Sequence, residues 1–309
     1  MESRVEQPWA AEIDVTAHLA ATLIAHQFPR LGTRSLTALG EGWDNAAFLL
    51  NDTWVFRFPR RAVAAPLIER ESRILPLIAG ALPLAIPVPE FAGTPAAGYP
   101  WAFAGYRVLP GRPLTGARPG KGDEVGLARC VGGFLRALHG VDTAPLVAAG
   151  LPGDTIGRLD HARMRPKFVE RLRALRDGGL VRDSAELLHF LDRVAPAGAR
   201  SERLRLVHGD LYARHVLVDE DLGATGIIDW GDVHLGDPAL DLAFAFITIS
   251  PQARGSLFAA YGAVDARTLE LARYRAIYHS AMTAHYGLCI GDAGLIAAGS
   301  KGLELGTLG

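Results

Sequence analysis

The chain has 309 residues, a net charge of −1, 21% charged residues and 49% apolar residues. This length suffices for two lobes in one compact protein, and the near-neutral charge excludes a bulk attraction to nucleic acid or to anionic membranes. The N-terminus lacks the apolar core of a signal peptide, and no apolar run reaches the roughly 18 residues of a membrane span. We therefore expect a cytoplasmic protein without a nucleic-acid or membrane partner.

Patterning in the N-terminal part predicts a helix, a small set of strands and a second helix. Asp14 is the expected N-cap of the first helix, and Pro29 follows its end. The turn at Asn51 and Asp52 separates two strands. The predicted elements are a helix over 14–28, three strands within 36–58, a helix over 65–78 and a strand over 101–109.

The C-terminal part is predicted to be mainly helical, with short strands in its middle. Cys130 and Cys289 lie in apolar helical contexts, so both are expected to be buried free thiols. Gly223 is expected to adopt positive φ in the turn between two of the strands. The predicted elements are a helix over 123–138, a helical insert over 151–197 and one or two helices over 269–289, with strands near 204–207, 216–218 and 226–228.

Acidic residues follow two of these short strands. The segment from Leu206 reads Leu-Val-His-Gly-Asp-Leu-Tyr-Ala-Arg-His-Val-Leu-Val-Asp, and after a turn the chain continues Ile-Ile-Asp-Trp-Gly-Asp. The resulting hairpin carries His215 at its start and Asp229 at its end, near Asp210. Carboxylate oxygens bind Mg²⁺, the metal bridges phosphate oxygens, and another carboxylate orients an attacking hydroxyl. The cluster therefore suits phosphoryl transfer.

The spacing of this segment resembles the kinase signature. His208-Gly209-Asp210 is followed after four residues by His215, and Asp229-Trp230-Gly231 comes after the hairpin. Together with Gly236-Asp237-Pro238, this pattern resembles the aminoglycoside and macrolide phosphotransferases, which are antibiotic kinases with a protein-kinase-like fold. The resemblance extends from about Leu36 to Leu242.

This resemblance implies an α+β, two-lobed, protein-kinase-like fold. A small antiparallel β-sheet lobe is expected over 1–111 and a mainly helical lobe over 112–309. Asp210 is implied to accept or orient the proton of an acceptor hydroxyl, which attacks the γ-phosphate of ATP or GTP. Asp229 is implied to bind Mg²⁺, and Asp241 to brace the catalytic loop from behind.

Nucleotide-binding residues are implied in the N-terminal lobe. The turn over 40–45 is expected to cover the phosphates, with the backbone near Gly42, Trp43 and Asn45 approaching them. Backbone groups near Tyr106 and Val108 are expected to bind the purine.

Arg57 stands where this fold expects a lysine. As a planar cation it can still contact nucleotide phosphates. Its acidic anchor is predicted to be Glu71, which shares the inward stripe of its helix with Ile74, whereas Glu69 is expected to be solvated.

Two residues near the motif keep two interpretations each. His215 is predicted to be a second metal ligand, with a brace for the loop as the alternative, and the macrolide enzymes tend to carry histidine at this position. Asp232 either contacts the acceptor or caps a turn. The excess of basic residues over 160–176 is either a solvated helix face or, if it lines the acceptor pocket, a feature that argues against a polycationic aminoglycoside.

The predicted function is that of a small-molecule O-phosphotransferase. Its partners would be a nucleoside triphosphate and a hydroxylated acceptor, an antibiotic of the aminoglycoside or macrolide type. Alternatives are a kinase of an amino alcohol or sugar and a catalytically silent nucleotide-binding module. A metal-dependent hydrolase could use the same carboxylates, but it would not need the glycine-bearing turn, Arg57 and Glu71.

Overall fold

The computed structural model describes residues 10–42, 44–116, 123–182, 184–194 and 204–308. The chain forms two compact units, one of Met1–Gly80 with Ala85–Leu109 and one of Ala81–Leu84 with Pro110–Gly309. The first unit contains an antiparallel sheet in the order β1-β2-β3-β5-β4. Its elements are α1 (Ala17–Gln27), β1 (Leu36–Glu41), β2 (Asn45–Leu50), β3 (Trp54–Pro59), α2 (Ala65–Ile78), β4 (Phe91–Gly93) and β5 (Phe103–Arg107).

The helices and strands of the first unit lie close to their predicted positions. Helix α2 has the predicted bounds, and both Asn51 and Asp52 adopt positive φ in the turn between β2 and β3. The predicted cap of α1 was wrong, because Thr16 accepts the hydrogen bond from the backbone N–H of Leu19. Asp14 lies two residues too early for this bond.

Aromatic side chains form the core of this unit. Phe56, Phe58 and Phe103 are fully buried, and the ring centroids of Phe58 and Phe103 are 4.6 Å apart. Gly105 lies opposite Phe56 in the β3–β5 register, and Gly93 lies opposite Phe103 in the β4–β5 register. A Cβ atom at Gly105 would come within 2.5 Å of the Phe56 ring. The aromatic core therefore needs a residue without a side chain on the facing strand.

The second unit is mainly helical and holds two small antiparallel sheets, ordered β6-β8-β9 and β10-β7. Its strands are β6 (Arg112–Pro113), β7 (Arg205–Val207), β8 (Val216–Val218), β9 (Ala224–Ile227) and β10 (His234–Gly236). Its helices are α3 (Glu124–His139), α4 (Ala144–Ala148), α5 (His161–Asp177), α6 (Ser184–Val194), α7 (Ala239–Leu242), α8 (Phe244–Ile247), α9 (Pro251–Tyr261), α10 (Ala266–Ile290) and α11 (Ala293–Thr307).

The predicted fold class is confirmed, with three local corrections. Cys130 and Cys289 are helical but exposed, because apolar neighbours in sequence do not place a residue on the buried face of its helix. Leu222, and not Gly223, adopts positive φ in the β8–β9 turn. Strand β10 was not predicted. Within the part of the chain that the structure describes, no helix combines the length and apolarity of a membrane span.

Gly105→Ala should destabilise the protein by about 1–3 kcal/mol, because the added methyl group overpacks the Phe56 ring. Gly80→Ala is the matched control, since a Cβ atom there meets nothing within 4 Å. Urea unfolding followed by tryptophan fluorescence measures both. Equal stability of the two variants would contradict the packing role of Gly105.

Candidate active site

The loop that carries Asp210 is held by one buried carboxylate. Asp241, in α7, is fully buried. Its Oδ2 accepts the backbone N–H of His208 at 2.8 Å, and its Oδ1 accepts the backbone N–H of Gly209 at 2.8 Å. These bonds satisfy two backbone donors that would otherwise be costly to bury. Asp241 thus fixes the backbone immediately before Asp210.

His139 supports Asp241 and is itself in contact with Tyr261. His139, at the end of α3, places its Nε2 3.1 Å from Oδ2 of Asp241 and its Nδ1 2.9 Å from the hydroxyl of Tyr261. Burial by itself would raise the pKa of Asp241, but the hydrogen bonds from His139 and from the loop outweigh burial and lower that pKa. His139 is therefore structural, although a histidine near a catalytic motif invites a catalytic interpretation.

His208 connects the loop to the strand that leads to Asp229. Its Nε2 donates to the carbonyl of Ile228 at 3.0 Å, and its Nδ1 accepts the backbone N–H of Asp210 at 3.3 Å. Burial lowers the pKa of His208, so the neutral ring can donate from one nitrogen and accept at the other. Gly209 has φ +84°, and a Cβ atom there would lie 2.7 Å from the carbonyl of Asp232. Only glycine fits this turn without displacing its neighbours.

Three predicted site residues meet in the second unit. Nδ1 of His215 lies 2.8 Å from the backbone carbonyl of Asp210 and 3.9 Å from its Oδ2, and Nε2 lies 3.3 Å from Oδ2 of Asp229. Burial opposes a charge on His215, but the neighbouring carboxylates outweigh it and raise the pKa of this histidine. The backbone of Asp229 has φ +64°, which is unusual for a residue other than glycine and is typical of functional sites.

The carboxylates of this group fit Mg²⁺ in their chemistry. The side chain of Asp229 is 48% exposed and that of Asp210 is 29% exposed. Mg²⁺ in proteins is generally bound through one or two carboxylates together with phosphate oxygens and water. Among the described residues, no group of three or more histidine, cysteine, aspartate or glutamate side chains could hold a metal ion by itself. Both nitrogens of His215 lie within 3.3 Å of protein oxygens.

Helix α10 supplies two side chains to Asp210 that were not predicted as site residues. Nη2 of Arg275 lies 3.7 Å and Nδ1 of His279 lies 3.5 Å from Oδ1 of Asp210. Burial raises the pKa of Asp210 and lowers that of His279 well below its ordinary value. The i, i+4 spacing of Arg275 and His279 places them on one helical face, which is the signal that could have identified them.

Asp232 is paired with a buried arginine that was also not predicted as a site residue. Nη2 of Arg158 lies 2.6 Å from Oδ1 of Asp232, and its Nη1 lies 2.9 Å from Oδ1 of Asp154. Asp154 also accepts the backbone N–H groups of Gly157 and Arg158. The donation from the N–H of Leu235 to the carbonyl of Pro152 joins this loop to β10. The two carboxylates therefore share one guanidinium.

In the first unit, Arg57 pairs with Glu71. Both side chains are buried, and Nη1 of Arg57 lies 3.0 Å and 2.8 Å from the two carboxylate oxygens of Glu71. Glu69 is exposed, as its position on α2 predicts. An ion pair at this depth requires both partners, because removal of one leaves a buried charge.

The remaining predicted nucleotide contacts also lie in this unit. The backbone N–H of Gly42 donates to the carbonyl of Asn45 at 2.9 Å, and Oδ1 of Asn45 is buried without a hydrogen-bond partner among the described residues. Trp43 lies outside the described residues. Tyr106 belongs to β5, and the N–H of Val108 donates to the carbonyl of Thr53. Because the N–H of Val108 is used in this bond, the carbonyl of Val108 is its candidate backbone group for a purine contact.

A protein-family model and several solved structures that match this chain are all phosphotransferases. The family model described as "Phosphotransferase enzyme family" (APH) matches residues 35–277. The GDP and kanamycin complex of APH(2″)-IIIa is 26% identical, with a TM-score of 0.69 and coverage of 94% of this chain and 98% of that chain. Macrolide 2′-phosphotransferase type I is 25% identical, with a TM-score of 0.63 and coverage of 94% and 98%.

A curated relative matches over a shorter span. The uncharacterized protein YcbJ of Bacillus subtilis (strain 168) is 26% identical over 217 residues. The match includes 63% of this chain and 63% of the length of that relative.

Asp241→Asn should lower the free energy of unfolding at pH 7 by about 3 kcal/mol, because its amide group cannot accept both loop N–H groups. Asp237→Asn is the control, since the amide oxygen of asparagine can still accept the N–H of Ala239 and the change should cost at most about 0.5 kcal/mol. The depressed pKa of Asp241 means that its contribution is present above the unfolded value of about 4 and is lost as the pH falls further. Urea titrations at several pH values should show the gap between wild type and Asp241→Asn narrowing towards low pH. A constant gap would contradict the assignment.

Proposed function

This chain belongs to the phosphotransferase enzyme family (APH), and we propose that it transfers the γ-phosphate of ATP or GTP to a hydroxyl group of a small molecule. Family membership makes it a small-molecule kinase. Solved relatives bind GDP and kanamycin in one case and are macrolide phosphotransferases in another. On this basis we propose an acceptor of the aminoglycoside or macrolide type, with an amino alcohol or a sugar as the alternative.

The observation that carries the proposal is the joint placement of Asp210 and Asp229 around His215. Asp210 is the proposed general base. Its carboxylate accepts or orients the proton of the acceptor hydroxyl, so that the hydroxyl oxygen can attack the γ-phosphorus. The pKa of Asp210 is raised by burial, which brings the carboxylate closer to the basicity that proton transfer needs.

The second proposed role, binding of the metal ion, belongs to Asp229 with the support of His215. We propose that Asp229 holds Mg²⁺ through its carboxylate oxygens, with His215 keeping that carboxylate in place through Nε2. Bound Mg²⁺ would supply positive charge to the phosphate oxygens. Arg57, held by Glu71, would donate to the nucleotide phosphates. The backbone near Gly42, Trp43 and Asn45 is proposed to approach the phosphates, and the backbone near Tyr106 and Val108 to bind the purine.

Asp210→Asn should reduce acceptor phosphorylation by about 10²–10⁴-fold while leaving nucleotide affinity within about twofold, because asparagine keeps the shape but cannot accept the proton. Asp221→Asn is the matched control, since Asp221 is an exposed carboxylate in the β8–β9 turn. Product formation is measured by mass spectrometry over a panel of aminoglycosides, macrolides, amino alcohols and sugars, with ATP and with GTP. Wild-type transfer rates in Asp210→Asn would reject the assignment. Phosphate release without any phosphorylated product would indicate a hydrolase.

Glu71→Gln should weaken nucleotide binding and destabilise the protein by about 3 kcal/mol, because Arg57 is left as a buried charge with a neutral neighbour. Glu69→Gln, two residues earlier on the exposed face of α2, should change stability by at most about 0.5 kcal/mol. Calorimetry with Mg-ATP and Mg-GTP and urea unfolding measure the two effects. If the two variants behaved alike, the anchoring role of Glu71 would be wrong.

A further inference from the structure

The carboxylates around the proposed general base are matched by cations of the protein itself. Asp154, Asp210 and Asp232 contribute three negative charges, and Arg158 and Arg275 contribute two positive charges. Arg158 bridges Asp154 and Asp232 at 2.9 Å and 2.6 Å, and Arg275 lies 3.7 Å from Asp210. With Asp229 set aside as the proposed Mg²⁺ ligand, these five side chains carry one net negative charge, which equals the charge of the general base alone.

The two arginines lie deeper than the carboxylates they neutralise. Arg158 and Arg275 have side chains that are 7% exposed, whereas those of Asp154, Asp210 and Asp232 are 21%, 29% and 36% exposed. Solvent and ligands therefore reach carboxylate oxygens whose charge is already compensated from beneath. An ammonium group that approaches these oxygens gains little, because the nearby guanidinium repels it.

The charge of Arg158 also interacts with Asp210, the proposed general base. Asp210 acts electrostatically on Arg158, as Asp232 and Asp154 do, and together they outweigh burial and raise the pKa of this arginine. Arg158 therefore stays charged at any ordinary pH. Nη1 of Arg171 also donates to the hydroxyl of Tyr278, one turn along α10 from Arg275.

We propose that Arg158 is a specificity-determining residue that occupies the acidic pair Asp154 and Asp232 as an internal counter-ion. The acceptor is accordingly a hydroxylated molecule with at most one positive charge. Of the acceptors proposed above, this excludes the polycationic aminoglycosides and retains the macrolides, amino alcohols and sugars. This inference rests on the proposed function, because it takes Asp210 as the base that receives the acceptor. It assigns Asp232 to Arg158 and not to an amine of the acceptor.

Binding of kanamycin to the full chain without nucleotide tests the exclusion directly. Wild type should bind this polyamine weakly. Arg158→Gln should bind it at least about tenfold more tightly, which corresponds to about 1.4 kcal/mol, because two carboxylates lose their internal partner. High ionic strength should remove the gain. Arg158→Lys, which keeps a cation, should bind as wild type does.

A merely structural role of Arg158 would lower stability without raising kanamycin affinity, and that outcome would overturn the proposal. Circular dichroism verifies that each variant is folded. If Arg158→Gln does not fold, wild-type kinetics decide, because kcat/KM for kanamycin must lie at least about tenfold below that for a macrolide with a single amino sugar. Comparable values for the two acceptors would also overturn the proposal.

The design separates this inference from the proposed function. Transfer to a macrolide together with tight wild-type binding of kanamycin would reject the specificity role and leave the kinase intact. Absence of transfer to any acceptor, with or without nucleotide hydrolysis, would reject the kinase. The kanamycin affinities would still show whether Arg158 blocks the acidic pair.

Discussion

The site depends on a single buried carboxylate that organises the backbone around it. Asp241 accepts two consecutive loop N–H groups and is supported by His139 from α3, so one side chain joins three segments that are distant in sequence. A buried charge is tolerated here because both of its oxygens accept hydrogen bonds, one from Gly209 and the other from His208 and His139. The position of Asp210 follows from this arrangement, because Asp210 directly follows His208 and Gly209, the two residues whose backbone N–H groups Asp241 binds.

Two histidines connect the Asp210 loop to the second carboxylate of the site, that of Asp229. His208 connects the Asp210 loop to the carbonyl of Ile228, and His215 spans the backbone of Asp210 and the side chain of Asp229. Trp230, fully buried, anchors the segment after β9 through a hydrogen bond to the carbonyl of Ile227. The neighbouring Asp229 is thereby left partly exposed at the surface of a rigid support, which is the arrangement that a preorganised site needs.

The sequence was informative where local geometry decides the outcome. The hairpin that carries His215 at its start and Asp229 at its end, close to Asp210, was predictable from the spacing, and helical periodicity selected Glu71 over Glu69 as the partner of Arg57. It was uninformative where tertiary packing decides. Arg158 and Arg275 come from a loop and a long helix far from the motif, and nothing in their local sequence shows which carboxylates they meet. The exposed cysteines illustrate the same limit, because composition does not identify the face of a helix.

The most direct test of the account is a crystal structure of Asp210→Asn with Mg²⁺, a non-hydrolysable nucleotide and a hydroxylated acceptor. The account predicts an acceptor hydroxyl within about 3 Å of residue 210, and the carboxylate of Asp229 on the metal. An acceptor hydroxyl bound well away from residue 210, or a metal held without Asp229, would contradict it.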